Sequence, residues 1–421
     1  MAQKKQLSRR HFLKASGLAT ASLPFMSAKS YGRILGANER LQTAIIGCGG
    51  IAQAHLGALL GMTEEDNVEI VGVCDVYERR ATLFQDQIWR SGGRAQAVTH
   101  YEDVLGMQDL DYVTVATPEH WHAQLTLEAL DAGLHVYCEK PMTHTVDEAF
   151  AVVEKAQSTG KKLQVGVQGM SDDSYSSAYE AIKAGKLGPV IGAQIEYVRK
   201  HPEDRGPWRI GVDDDLPKPP DLDWERWLGP APERDWSAPR YYEWRNYKDY
   251  SGGIASDLFI HRLTRILKAC GLAFPEEVVG MGGIYLWDDG RELPDNLEML
   301  AEYPAQEGIT PGMTVHVLGT MGNNRGIDHL IRGQEATLLF TPEGWDIVDQ
   351  ESGEVVESHQ KTGGEDISLH HQNLHAAIRE DAPLNCPPEL GLHGVVAISG
   401  ANESWFQQKM LTWDSAKKAW T

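Results

Sequence analysis

Positive charge is scarce in this sequence. Its 421 residues carry 39 lysines and arginines against 60 aspartates and glutamates, a formal charge of −21. So acidic a chain excludes nucleic acid and anionic membrane surfaces as partners, because both require a basic face. A sugar, or an uncharged or cationic small molecule, is the easier partner. Cysteine is scarce as well: five residues, at 48, 74, 138, 270 and 386, an odd number with no CxxC spacing. This excludes a disulfide framework and predicts five small buried hydrophobes. Long apolar runs and internal repeats are also missing. The weakly apolar stretch Ala15–Ala28 is too short and too rich in Ser, Thr and Gly to span a membrane.

That stretch follows SRRHFLK, residues 8–14, with Arg9 and Arg10 ahead of an uncharged segment. The pattern resembles a twin-arginine export signal. Residues 1–30 are therefore expected to lie outside the fold, with cleavage after Ala28 or Ser30 or retention as an anchor. The mature protein is expected in the periplasm, or otherwise exported by that route.

From Leu41 the chain alternates short apolar runs with helical patterns. LQTAIIG, NVEIVGVCD, DYVTVATP, LHVYCEKP and KKLQVGVQ read as strands of βαβ units, which predicts a parallel sheet over residues 38–168. Thr145 and Glu148 stand in capping-box register before one of the helices. Beyond Gly188 the strands lengthen and alternate between turn residues. A large, mostly antiparallel sheet in an α+β domain over residues 169–421 is expected. Between 201 and 250 the pattern is irregular and contains Trp208, Trp224, Trp227, Trp236 and Trp244. These rings either offer a flat surface to a sugar or pin a long loop.

IIGCGGIAQAH places Gly47, Gly49, Gly50, Ile51 and Ala52 directly after a strand and at the start of a helix. The first glycine permits the tight turn, the second admits a pyrophosphate to the backbone, and small Ala52 lets helix and strand pack closely. Helix N–H groups then face the phosphates. Asp75, ending the second strand, is placed to accept the adenosine ribose hydroxyls, which favours NAD over NADP.

CEKPM, residues 138–142, lies at the carboxyl end of another predicted strand, where open α/β sheets bind ligands. Lys140 there can stabilise a developing alkoxide. SGGIASDLFIHRLTRIL puts Asp257 and His261 four apart on a predicted helix, where a carboxylate can orient a histidine acting as base.

The GCGGIA loop, VCD, ATPEHWH, AGLHVYCEKP and the GG…D…H segment together resemble the glucose–fructose oxidoreductase, inositol dehydrogenase and MocA family, Gfo/Idh/MocA. The resemblance implies an NAD-binding Rossmann domain followed by a predominantly β domain, acting on a sugar, glycoside or cyclitol hydroxyl. It makes Lys140, Asp257 and His261 the catalytic set, with His261 as general base, Lys140 holding the hydroxyl, and Asp257 positioning substrate and tuning the histidine. Thr117, Pro118, His122, Glu139 and Lys140 are expected beside the cofactor. A dimer or tetramer is common in the family. Glycoside-cleaving relatives, which oxidise and re-reduce their substrate, lack the EKP lysine, so Lys140 favours plain hydride transfer.

One position departs from the pattern. The family's D-x-G-x-H has Phe259 at its centre here, which is expected to alter either the pocket or the packing under the helix. His370, His371 and His375 cluster on a predicted helix, but convergent metal ligands are not evident in the sequence.

Overall fold

A computed structural model describes residues 39–421; the export motif lies outside them. Six parallel strands open the fold: β1 (Leu41–Ile46), β2 (Val68–Cys74), β3 (Gln96–Val98), β4 (Tyr112–Val115), β5 (His135–Glu139) and β6 (Leu163–Gly166). Their order is β3-β2-β1-β4-β5-β6, with the strand sequence reversing between β1 and β4. Such a reversal opens a crevice at the carboxyl ends of β1 and β4. The strands are buried on both faces, as their unbroken apolar runs require. Between them run α1 (Gly50–Gly61), α2 (Glu78–Arg90), α3 (His122–Asp131) and α4 (Val146–Thr159). Thr145 and Glu148 form the expected capping box on α4. The short strand β3 carries no alternation in its sequence and was not anticipated.

The second sheet has eleven strands. They are β7 (Val190–Lys200), β8 (Glu277–Gly283), β9 (Asn296–Tyr303), β10 (Met313–Thr320), β11 (Gly322–Asn323), β12 (Leu330–Gly333), β13 (Ala336–Thr341), β14 (Gly344–Asp349), β15 (Val355–Gln360), β16 (Leu411–Asp414) and β17 (Ala419–Trp420). Neighbours run antiparallel except β7 and β10, which are parallel. In β9 the residues alternate buried and exposed along the strand, so one face meets the core and the other is open. The core face is covered by α6 (Ile260–Cys270) and α8 (Pro388–Gln407), which follow α5 (Ser174–Lys183) and α7 (Ile367–Glu380) in the helix series.

Helix α7 returns to the first sheet, although its sequence lies in the second half of the chain. Leu374 joins the core of Ile45, Leu56, Val73 and Tyr112. The three histidines of α7 fasten it there. His371 Nε2 meets His55 Nδ1 at 2.9 Å, His370 Nε2 meets the Val165 carbonyl at 2.9 Å, and His375 bonds to Tyr112 Oη at 2.7 Å and to Asp66. All five cysteines are free and buried, as their scarcity and spacing suggest.

Candidate active site

The glycine turn after β1 is shaped by one close approach. Gly47 has φ +90°, and a Cβ there would lie 2.8 Å from the Ala116–Thr117 peptide, so only glycine fits. Gly49 and Gly50 by contrast have open space where a Cβ would stand, and both line a cleft with Ile51, Thr117 and Pro118. Helix α1 has no side-chain cap and no acid in its first turn, so its leading N–H groups are left for an anion. Ala52 is fully buried at the helix–sheet contact.

Asp75 sits at the end of β2 on the same cleft. Its carboxylate accepts the Cys48 and Tyr77 N–H groups, each at 2.8 Å, and is thereby fixed before any ligand arrives. Burial pushes its pKa up, against the opposing pull of Arg80 and the two N–H donors. Each oxygen keeps lone pairs for a ribose diol. The open glycines, the uncapped helix and this preset carboxylate fit a dinucleotide.

The irregular segment after β7 covers this end of the cleft. Asp223 N–H donates to the Val76 carbonyl (3.0 Å), and Glu78 N–H to the Asp221 carbonyl (3.1 Å). Trp121 Nε1 donates to the Trp227 carbonyl at 2.8 Å. Behind these contacts Trp224, Trp227, Tyr241 and Tyr250 form their own buried cluster. Trp224 therefore pins the loop, whereas Trp227 and Trp244 line the cleft.

The catalytic candidates converge at the carboxyl end of β5. The Lys140 ammonium donates to Asp257 Oδ1 at 2.7 Å and to the Asp257 carbonyl at 2.9 Å. Arg245 Nε donates to the same Oδ1 at 2.9 Å. Burial would raise the Asp257 pKa, but the two cations hold it far below the usual carboxylate range. Oδ2 is left clear of both.

Asp257 and His261 sit four apart as expected, yet no hydrogen bond joins them. The reason is local. Ala255–Phe259 is a π-helical turn, wider than an α-turn, and it precedes α6. The carboxylate is taken by Lys140 and Arg245, while Nδ1 of His261 is buried without a partner. Burial, then repulsion from Lys140, depresses the His261 pKa well below its ordinary value, despite Asp257. The imidazole is neutral.

Two expected cofactor contacts have other roles. His122 is fully buried and does not line the cleft; its Nδ1 meets the Pro141 carbonyl at 2.7 Å and its Nε2 the Thr117 carbonyl at 2.9 Å. Two carbonyls cannot donate, so both ring nitrogens must, and the ring is an imidazolium. Burial pushes its pKa down, but Cys138 and the two carbonyls push harder, to about 9. Glu139 is likewise buried, bonded to His55 at 3.0 Å and to the Lys140 N–H at 3.1 Å. Both orient the loop that carries Lys140 rather than touch the cleft.

Two further residues belong to the site. Arg245 lies in the irregular segment, whose sequence has no period to read. Glu119, inside TPEHWH, is buried and accepts Ser251 Oγ (2.7 Å), Ser256 Oγ (2.8 Å) and Gly252 N–H (3.0 Å). It docks the SGG turn onto the first domain and so places Asp257. A charged residue directly after a buried strand was the signal.

Phe259 is fully buried and packs against β10, where a Cβ at Gly319 would lie 2.2 Å from its ring. The departure from the family pattern thus changes the packing under the helix.

Residues 41–167 match the family model described as oxidoreductase family, NAD-binding Rossmann fold, and residues 211–269 match its companion, the C-terminal alpha/beta domain. The chain is 26% identical over 220 residues to a glycosyl hydrolase family 109 protein of Shewanella pealeana, covering 46% of this chain and 47% of that one. It is 30% identical over 149 residues to inositol 2-dehydrogenase of Salmonella typhimurium, covering 35% and 43%. The alignments span about half the length of these relatives or less. The WlbA dehydrogenase of Bordetella pertussis, solved with NADH and UDP-GlcNAcA, superposes with a TM-score of 0.64 at 17% identity, over 89% of this chain and 99% of that one; at that identity the likeness is one of fold. Both family models are matched in order and the six-stranded sheet precedes the large one, so the chain opens with an NAD-binding Rossmann fold and is similar to the Gfo/Idh/MocA oxidoreductases in the sequence of its domains.

Proposed function

We propose that this protein is an NAD-dependent oxidoreductase acting on a hydroxyl-bearing carbon of a sugar, glycoside or cyclitol. The observation that carries this reading is the ion cluster of Lys140, Asp257 and Arg245 beside a neutral His261. Asp257, held ionised by two cations, is too weak a base to remove a hydroxyl proton. His261 has a free ring nitrogen and takes that role. Two hydrogens of the Lys140 ammonium are engaged by Asp257, and the third remains for the substrate oxygen, where it stabilises the alkoxide as the proton leaves. Asp257 Oδ2 accepts a neighbouring hydroxyl and fixes which carbon is presented. The turn at Gly49 and Gly50 and the Asp75 carboxylate would hold NAD, which when bound would supply the hydride acceptor.

Asp75 next to Cys48 and Tyr77 favours the ribose diol of NAD over the 2′-phosphate of NADP. The cover formed around Trp227 and Tyr241 supports tight retention of the cofactor. SRRHFLK supports export in the folded, cofactor-loaded state, where free NAD is lacking and the hydride must be returned within each cycle. The 26% identity to a glycosyl hydrolase family 109 protein favours a second reading within the same site. There the hydroxyl carbon is oxidised to a ketone, the acidified neighbouring C–H loses its proton as the glycosidic substituent leaves with its bonding pair from the carbon beyond, water adds to the resulting enone, and the hydride is returned to the ketone. Exposed Met281 and Leu300 on the open face of the large sheet support assembly of two or more copies.

Denaturing the purified protein should release NAD(H) in near-stoichiometric amount. Mixing the native protein with sugars and glycosides then separates the readings: lasting nicotinamide absorbance marks net oxidation, and aglycone release without it marks cleavage. Absence of any bound or bindable nicotinamide overturns both.

A further inference from the structure

The chain's overall charge argues for neutral ligands, but the field beside His261 has the opposite sign. Arg262 follows His261 on α6, and its guanidinium carbon lies 4.9 Å from the centre of the Tyr197 ring. Arg199, two residues along β7, lies 4.9 Å from the same ring and donates to its hydroxyl at 2.5 Å. His261 is 6.5 Å from that ring, centre to centre. One phenol therefore sits among two guanidinium groups and the imidazole base.

Neither arginine forms an ion pair among the described residues. Of the carboxylates nearby, Glu365 binds Arg265 at 2.6 Å, and Glu196 binds His329 at 3.0 Å through Oε1 while its Oε2 is buried without a partner. The Nε of Arg262 is buried with no hydrogen-bond partner. Burial and the like charge of Arg265 push Arg262 below the ordinary arginine value, against the opposing pull of Glu365. A buried, unsatisfied cationic donor costs stability in a folded protein unless a ligand completes it. In a chain with a surplus of 21 negative charges, a guanidinium that forms no ion pair among the described residues stands out beside His261.

We propose that Arg262, assisted by Arg199, receives an anionic substituent, a carboxylate or a phosphate, on the sugar whose hydroxyl is presented to His261. This rests on the reading of Lys140 and His261 as the oxidising site. The planar fork of an arginine pairs with two oxygens of such a group at once, which a lysine cannot reproduce.

The test compares glucuronate, glucose 6-phosphate and glucose on the cofactor-loaded protein, following nicotinamide reduction and, separately, binding by calorimetry. One or both anions should exceed glucose in kcat/KM by at least about tenfold, and Arg262→Gln should collapse that ratio by about 10–100-fold, the range for losing a charge-assisted pair. Which anion prevails distinguishes uronate from phosphate. Arg262→Lys, which keeps the charge and guards against misfolding, should retain an intermediate ratio. If glucose equals the anions and the ratio is unmoved in both variants, the proposal is overturned while the oxidoreductase reading stands. If no sugar reduces the cofactor but the anions bind wild type and not Arg262→Gln, the anion site stands and the oxidoreductase reading falls. Absence of anion binding to wild type overturns the site.

Discussion

Lys140 and Asp257 stand 117 residues apart in sequence and meet at 2.7 Å, the lysine from the first domain and the carboxylate from the second. The contact joins the cofactor-binding sheet to the π-turn that leads into α6. In the proposed reaction it leaves His261 as the base, because the carboxylate it pins cannot be one.

Replacing Lys140 with Met should therefore act twice. The alkoxide loses its stabilising donor, and turnover should fall by about 10²–10⁴-fold, the usual range for such a group. His261 also loses the charge that repels its proton, so the acidic limb of the pH–rate profile should move upward. Cofactor retention should be unaltered. Equal turnover, or an unmoved limb, would remove Lys140 from the proposed role.

His261→Ala should abolish base catalysis by about 10²–10⁴-fold while leaving bound NAD and the melting temperature near wild type, since the ring makes no hydrogen bond through Nδ1. Stopped-flow reduction under single turnover separates this loss from slower product release.

How far the sequence carries can be followed residue by residue. The first sheet was legible because its information is local: apolar runs of strand length, a glycine turn at Gly47 and an acid at Asp75 all lie within one βα unit. Lys140, Asp257 and His261 were legible by motif and spacing. Their partners were not, because the sequence implied an Asp257–His261 pair, and only the π-turn and the distant Arg245 show where the carboxylate goes. Helix α7 illustrates the same limit. Its histidines show no convergent ligands in the sequence, and only Tyr112, His55 and Val165, all distant in sequence, make them fasteners.

His122 gives the protein a pH dependence of definite sign. Its folded pKa, about 9, lies above the unfolded value of about 6.5, so its stabilisation is complete below pH 6.5 and is lost as pH rises towards 9. His120, held near 3 chiefly by burial, and His370, held near 4 for the same reason, act in the other direction. They remain neutral in the fold, so stability falls as pH drops below about 6.5. Denaturant midpoints should peak near pH 6–7, and His122→Gln should flatten the alkaline decline while sparing the acidic one. An unchanged alkaline slope would mean that His122 is not the imidazolium its two carbonyl partners require.

The loop cover makes retention of the cofactor separable from its use. Tyr241 packs within Trp224 and Trp227 and lies under the Arg80 guanidinium, 5.3 Å from the ring centre. Tyr241→Ala should loosen this wall and let NAD leave during gel filtration, with activity restored by added NAD. Full retention in the variant would assign the hold to the glycine loop and Asp75 alone.

Phe259 and Gly319 form a complementary pair, a large ring where the family has glycine and a glycine facing it on β10. Phe259→Ala should cost about 3–5 kcal/mol, because a fully buried ring leaves a cavity the sheet cannot close. Gly319→Ala should also destabilise, since its methyl would meet the ring at 2.2 Å. If the two act on one volume, the double variant should be more stable than the sum of the single losses implies, with a coupling of about 0.5–3 kcal/mol in chemical denaturation. Additive losses would show that the helix relaxes independently of β10.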